Sequence, residues 1–227
     1  MLRALALSLA QLGDRPILKL FLGSLAVTLV LLALIGAGLV WGTQAVLVDG
    51  LALDERWGTL GAVAAALLSI LGAWLLFRAV AIAVIGLFAD GVVEAVEARH
   101  YPARRDRAVP VPLARSLRMA LGSAGRAVAV NLLLVPPYLF LLVTGVGTAA
   151  LFFIANAWLL GRDLGDMVAA RHMDDAAMRD WRRRTRGSRM VLGAIGTAIL
   201  IVPVAGLFGP ILGAAMATHL FHMRESQ

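Results

Sequence analysis

The chain has 227 residues, of which 60% are hydrophobic and 15% charged, with a mean hydropathy of +0.85. Soluble globular domains carry ~45–50% apolar and ~25% charged residues, so this composition excludes a soluble enzyme, a disordered tail and a nucleic-acid-binding domain. Cysteine is absent, which removes disulfides, thiolate metal sites and a cysteine nucleophile, and the net charge of +7 rests on 20 Arg and one Lys, Lys19.

The first 14 residues read as an interfacial amphipathic helix, with Leu2, Leu5, Leu9 and Leu12 at helical spacing. A cleaved signal peptide is disfavoured, because the apolar core ahead of Ser8-Leu9-Ala10 is too short. Gly13-Asp14-Arg15-Pro16 marks a break, and Pro16 suits the first turn of the next helix. Four stretches then lack Asp, Glu, Lys and Arg: Leu20 to Val48 (29 residues), Trp57 to Phe77 (21), Ala127 to Gly161 (35) and Met190 to Thr218 (29). A spanning helix needs ~20 apolar residues. The first two stretches are long enough, giving transmembrane helices over residues 16–48 and 57–99, the second running well past the bilayer.

The loops orient them. Residues 48–57 carry Asp49, Asp54 and Glu55 against Arg56 alone, whereas 90–126 hold seven Arg and 162–189 hold eight. The N-terminus and every flank after Asp90 are therefore cytoplasmic, as is the C-terminus, and the short acidic loop lies outside. The third and fourth stretches must then enter and leave on one side. Two crossings need ~40 residues. The fourth stretch has 29 and breaks at Pro203-Val204-Ala205-Gly206-Leu207-Phe208-Gly209-Pro210; the third breaks at Thr144-Gly145-Val146-Gly147-Thr148, with Pro136-Pro137 adding a kink. The expected fold is a single all-α integral membrane domain over 1–227. It has two transmembrane helices and two re-entrant, partially penetrating helical hairpins, over 115–161 and 190–223, separated by a basic cytoplasmic segment at 162–189.

The residues also resemble a known family. Ala73-Trp74-Leu75-Leu76-Phe77 leading into Phe88-Ala89-Asp90-Gly91-Val92-Val93-Glu94-Ala95-Val96-Glu97-Ala98-Arg99 is similar to the long second helix of the CysZ-type sulfate permeases, a family that includes the etoposide-induced membrane proteins. Thr144-Gly145-Val146-Gly147, Asn156-Ala157-Trp158-Leu159-Leu160, Gly193, Pro203, Gly209-Pro210 and Ala217-Thr218-His219 extend the resemblance in order along the chain. The resemblance implies the same two spans and two hairpins, placed in a bacterial inner membrane. It further implies a homo-oligomeric permease taking up sulfate, or a related oxyanion such as sulfite, to feed sulfur assimilation. The family's binding region near the first transmembrane helix is matched loosely by Gly13-Asp14-Arg15-Pro16.

An oxyanion path needs backbone N–H donors at helix N-termini and one or two Arg. Candidate anion-binding residues are Gly13, Arg15, Arg78, Gly206 and Gly209. Each carries a plainer reading too: Arg15 as a cytoplasmic anchor, Arg78 as a side chain snorkelling to the interface, and Gly206 and Gly209 as turn or packing residues. Asn131 and Asn156 read as interhelical hydrogen-bonding groups, or else as pore-lining ones. The run Arg182, Arg183, Arg184, Arg186 and Arg189 reads as a contact for anionic headgroups, or as an anion-concentrating mouth.

Enzyme readings find no support. His219 and His222 sit at i, i+3 with no third ligand near them in sequence, so no metal is expected. Gly122-Ser123-Ala124-Gly125 has no partnered His, and no Gly-Lys-Ser/Thr phosphate loop occurs, so ATP is not the energy source. No cofactor is expected, and the partners are the oxyanion and membrane lipids. Without a buried acidic relay the route is channel-like or gradient-driven. The rival function is a non-transporting membrane scaffold or quality-control protein on the same fold.

Overall fold

The computed structural model describes residues 2–11, 13–44, 67, 70–72, 88–206 and 208–225. Among them every regular element is helical: α1 (Leu2–Gln11), α2 (Arg15–Gln44), α3 (residues 88–100), α4 (Pro102–Arg105), α5 (Leu113–Leu141), α6 (Val146–Ala169), α7 (Asp175–Arg184), α8 (Arg186–Ile201), α9 (Pro203–Gly206) and α10 (Gly209–Glu225). Arg78, the acidic loop and most of the 57–99 helix lie outside the described residues. Two compact units divide the chain, Met1–Leu18 with Ala89–Gln227 as one and Lys19–Phe88 as the other.

Among the described residues two helices are long and apolar enough to cross a membrane, Arg15–Gly38 with a mean hydropathy of 2.5 and Leu113–Thr144 with 2.1, and neither buries any of its apolar window. Leu29 and Leu34 of the first and Leu133 and Phe140 of the second stand open on the surface. Apolar surface on that scale is stable only against lipid or another protein surface. The second of these helices, α5, lies in the segment expected to form half of a partial hairpin. Its first turns carry Arg115, Arg118 and Arg126, which pair with Asp175 and Asp163, so its uncharged part starts only at Ala127.

Local signals explain the breaks. Pro112, extended at φ −58° and ψ 143°, introduces α5, which runs on through Pro136 and Pro137. A 3₁₀ turn over Leu142–Thr144 ends it, and Gly145 at φ 65° supplies the left-handed turn that starts α6. The α7 N-terminus is capped by Asp174, whose carboxylate accepts from the Ala176 and Ala177 amides at 2.9 and 2.8 Å. Asp175 occupies the first turn of α7 and Arg182, Arg183 and Arg184 the last, a distribution that complements the helix dipole.

In the larger unit α10 is the central helix: Ile211 through His222 are all buried, and α1, α6 and α8 pack around them. On α1, Ala4, Ser8 and Gln11 are buried while Leu9 stays exposed.

The tightest contact joins α6 and α8. A Cβ placed on Gly161 would collide with the Arg189 carbonyl oxygen, and one on Gly193 with the Ala157 carbonyl oxygen. Both obstacles are backbone, so neither can yield by a side-chain rotation. Gly193→Ala and Gly161→Ala should each destabilise the protein by roughly 1–3 kcal/mol or more through overpacking, read as a lowered melting temperature in detergent. Gly125→Ala, on an exposed face of α5 with nothing within 4 Å of the new methyl, should leave melting unchanged or slightly raised.

Candidate functional site

The backbone approach at Gly161 and Gly193 sets α6 beside α7 and α8, and that placement gathers the arginines. Trp158, Arg162 and Asp166 recur every fourth residue on α6 and so share one face. From α7, Arg182 donates two parallel hydrogen bonds to Asp166, Nε to Oδ1 at 2.8 Å and Nη2 to Oδ2 at 2.9 Å. Arg162 lies 3.6 Å from the same carboxylate. From α8, the buried Arg189 donates to the Arg182 carbonyl at 2.7 Å and to Thr185 Oγ1 at 3.2 Å. Its guanidinium carbon sits 5.4 Å from the ring centre of the buried Trp181, a cation–π distance.

These side chains enclose a cleft of about 220 Å³ lined by Trp158, Arg162, Arg182, Arg183, Arg186, Arg189 and Met190. Five guanidinium groups line it, and the single carboxylate in contact with any of them is Asp166 among the described residues. Burial first, and then repulsion from Arg126 and Arg182, lowers the pKa of Arg162, with Asp166 and Asp163 opposing. Burial likewise lowers that of Arg189, where Asp166 opposes and Arg162, Arg182 and Arg186 add repulsion. An excess of mutually repelling, partly desolvated cations holds an anion well, and guanidinium forks match the geometry of an oxyanion. An apolar groove lined by Val130, Leu134, Leu151 and Ile154 adjoins this cleft and shares Trp158, Arg186 and Met190 with it.

A second polar cluster lies in the same unit. Glu97, fully buried on α3, accepts at Oε1 from His172 Nε2 at 2.7 Å and from His222 Nε2 at 3.1 Å, and its Oε2 lies 3.4 Å from Arg171 Nη2. Beside it the Tyr101 hydroxyl bonds His219 Nδ1 at 3.0 Å, and His219 Nε2 is 3.2 Å from Gln11 Oε1. The His219 and His222 rings therefore face different partners. The third ligand type that the local sequence lacks comes to His222 from two remote segments, as Glu97 and His172.

Of the residues singled out from sequence, Arg78 lies outside the described residues, and the other four fall in two turns, between α1 and α2 and around the start of α10. Gly13 is exposed in the turn between α1 and α2, and Arg15 is exposed at the start of α2, with no ion pair among the described residues. Asp14 in that turn pairs with Arg99. Gly206 ends α9, where a Cβ would lie 3.1 Å from the Leu200 carbonyl oxygen; Gly209 opens α10, where a Cβ would lie 2.6 Å from the Leu200 side chain. Both glycines thus serve close packing of this turn onto α8. Asn131 and Asn156 each donate one hydrogen bond one turn back on their own helices, to the Ala127 and Phe152 carbonyls. Trp158 and Arg162 were not singled out as binding residues, although their spacing with Asp166 marks one face of α6. Glu97 was missed as well; its buried neighbours Val92, Val93 and Val96 place it on an apolar face, where a carboxylate is out of pattern.

Asp166 is the residue whose loss exposes the balance of the cleft. Asp166→Ala should destabilise the protein by about 3 kcal/mol, because it strips Arg182 of its bidentate partner and leaves the guanidiniums uncompensated. Melting in detergent checks this, and added sulfate should recover part of the loss by occupying the cleft.

The chain matches the family model described as Sulfate transporter CysZ/Etoposide-induced protein 2.4 over residues 4–210. No curated protein matches it significantly. The match takes in the long apolar helices, the turns at Gly145 and Gly206 and the arginine cleft, and the chain accordingly belongs to the sulfate transporter CysZ/etoposide-induced protein 2.4 family of membrane proteins.

Proposed function

We propose that this protein is a permease for sulfate-like oxyanions in the bacterial inner membrane, feeding sulfur assimilation by a channel-like or gradient-driven route. The observation that carries the proposal is the cleft of five guanidiniums beside Trp158, in a chain whose family is named for sulfate transport. All of the lining arginines belong to the basic segment that the positive-inside rule assigns to the cytoplasm, so the cleft sits at the exit side of an uptake path. There it raises the local anion concentration without a deep trap, since four of its five cations are at least partly exposed and one carboxylate limits their charge.

The membrane arrangement belongs to the same proposal. α2 and the 57–99 helix cross fully, while the α5–α6 and α8–α10 pairs enter from the cytoplasmic side and turn back. In favour of this stand the arginines at both ends of each pair and, for the α8–α10 pair, the length of its uncharged arm. Met190 to Ile201 spans roughly 18 Å at 1.5 Å per residue, against a hydrocarbon core of ~30 Å. Two crossings and two partial hairpins enclose no continuous polar path alone, so the working unit is a homo-oligomer with its termini in the cytoplasm. Gly13 and Arg15 in the α1–α2 turn form a separate contact region for the anion, Arg78 is a further anion contact on the 57–99 helix, and the apolar groove next to Trp158 takes lipid chains.

Radiolabelled sulfate uptake into proteoliposomes tests the proposal. Wild type should exceed empty vesicles, and the double variant Arg183→Gln/Arg186→Gln should lose about tenfold or more, since a hydrogen bond to a charged group contributes ~1.5–3 kcal/mol. Arg15→Ala should reduce uptake at low sulfate more than at saturation. Wild-type uptake equal to that of empty vesicles would overturn the permease reading and favour a non-transporting scaffold.

A further inference from the structure

The Glu97 cluster is not needed by an anion path, and its chemistry is the opposite of the arginine cleft: two imidazoles and a carboxylate drawn together in a buried pocket. We propose that Glu97, His172 and His222 form a site for one divalent first-row transition-metal ion, Zn²⁺ foremost, that clips α3, α10 and the turn after α6 to one another. The three ligand atoms lie within 4.8 Å of one another. Glu97 is 0% exposed and His222 2%, so the pocket is shielded from water.

Three features point to a metal rather than to a self-contained ion pair. First, one oxygen, Glu97 Oε1, is approached by both Nε2 atoms, at 2.7 and 3.1 Å, so both rings direct the same nitrogen at one point. In a tetrahedral site with bonds of ~2.0–2.1 Å the ligand atoms stand roughly 3.3 Å apart, and these two separations need to open by only a few tenths of an ångström to admit the ion. Second, the two rings come from separate segments, the turn after α6 and α10, so their convergence on one oxygen is a tertiary arrangement and not a by-product of helix spacing. Third, the outer contacts resemble those that orient metal ligands. Arg171 faces Oε2, at 3.4 Å, and so turns Oε1 toward the histidines. Tyr101 stacks on the His222 ring with centroids 4.4 Å apart, and Phe221 stacks on His172 at 5.2 Å. Second-sphere groups of this kind hold ring planes and carboxylate lobes in the binding orientation.

The donor set selects the ion. Imidazole nitrogens disfavour Mg²⁺ and Ca²⁺, which take oxygen ligands, while two nitrogens and one carboxylate oxygen suit Zn²⁺ and its neighbours. Because the ligands come from three segments far apart in sequence, binding adds directly to the stability of the folded unit. The site is separate from the arginine cleft, and its existence does not depend on what the protein transports.

The test uses full-length protein without a polyhistidine tag, purified in detergent, stripped with a chelator and titrated with Co²⁺ and then Zn²⁺. The expected result is one equivalent of Co²⁺ with the visible absorption of a four-coordinate site, displaced by Zn²⁺, and a melting temperature that rises with Zn²⁺ in wild type. His172→Ala/His222→Ala should abolish the absorption, and Glu97→Gln should weaken it strongly. Arg171→Ala should weaken binding about 10–100-fold, as loss of an orienting partner does, and His219→Ala, outside the ligand set, should retain it. The proposal is overturned if wild type shows neither saturable Co²⁺ absorption nor a Zn²⁺-dependent shift in melting. It is equally overturned if the double histidine variant binds one equivalent as tightly as wild type. The wild-type melting shift decides the matter even where a variant fails to fold.

Discussion

The approach of α6 to α8, backbone against backbone at Gly161 and Gly193, is the contact on which the other features rest. It is possible only where both helices lack a Cβ, and in a bilayer such small-residue seams replace the hydrophobic drive that associates helices in water. Once the two axes are that close, Trp158, Arg162 and Asp166 on one helix stand against Arg186 and Arg189 on the other, with Arg182 reaching in from α7. A larger residue at either glycine would push the helices apart and open the cleft. The same seam explains why Gly165 is glycine, since a Cβ there would lie 2.7 Å from Arg189 Cδ and 3.0 Å from the Trp181 ring.

Charge is handled in opposite ways on the two sides of this unit. In the cleft, cations outnumber the available carboxylate, and the guanidiniums are kept tolerable by partial exposure, by backbone carbonyl acceptors and by the Trp181 ring. Around Glu97 the carboxylate is buried, and two neutral-capable imidazoles and an arginine crowd one anion. The first arrangement suits an anion that comes and goes; the second suits a bound cation that stays. Both sit in the larger unit.

The membrane character and the helical class were legible from composition and from uncharged run lengths, because those quantities need no knowledge of packing. The break at Gly145 was legible too, since a positive φ leaves a glycine signature. What escaped was whatever depends on contacts between distant segments. Glu97, His172 and His222 are separated by 75 and 50 positions, so no spacing rule links them. The contact of α1 with α10 escaped for a related reason: 208 positions separate Gln11 from His219, and which α1 side chains meet that neighbour (Ala4, Ser8 and Gln11) depends on it.

The central claim is that the cleft between α6, α7 and α8 holds the oxyanion. Selenate is a close mimic of sulfate, and its selenium can be located by anomalous scattering in crystals of the protein grown with it. The account predicts a selenium peak within hydrogen-bonding reach of Arg183 and Arg186 beside Trp158. Selenium bound only at the Arg15 turn, with the cleft empty at saturating selenate, would contradict it.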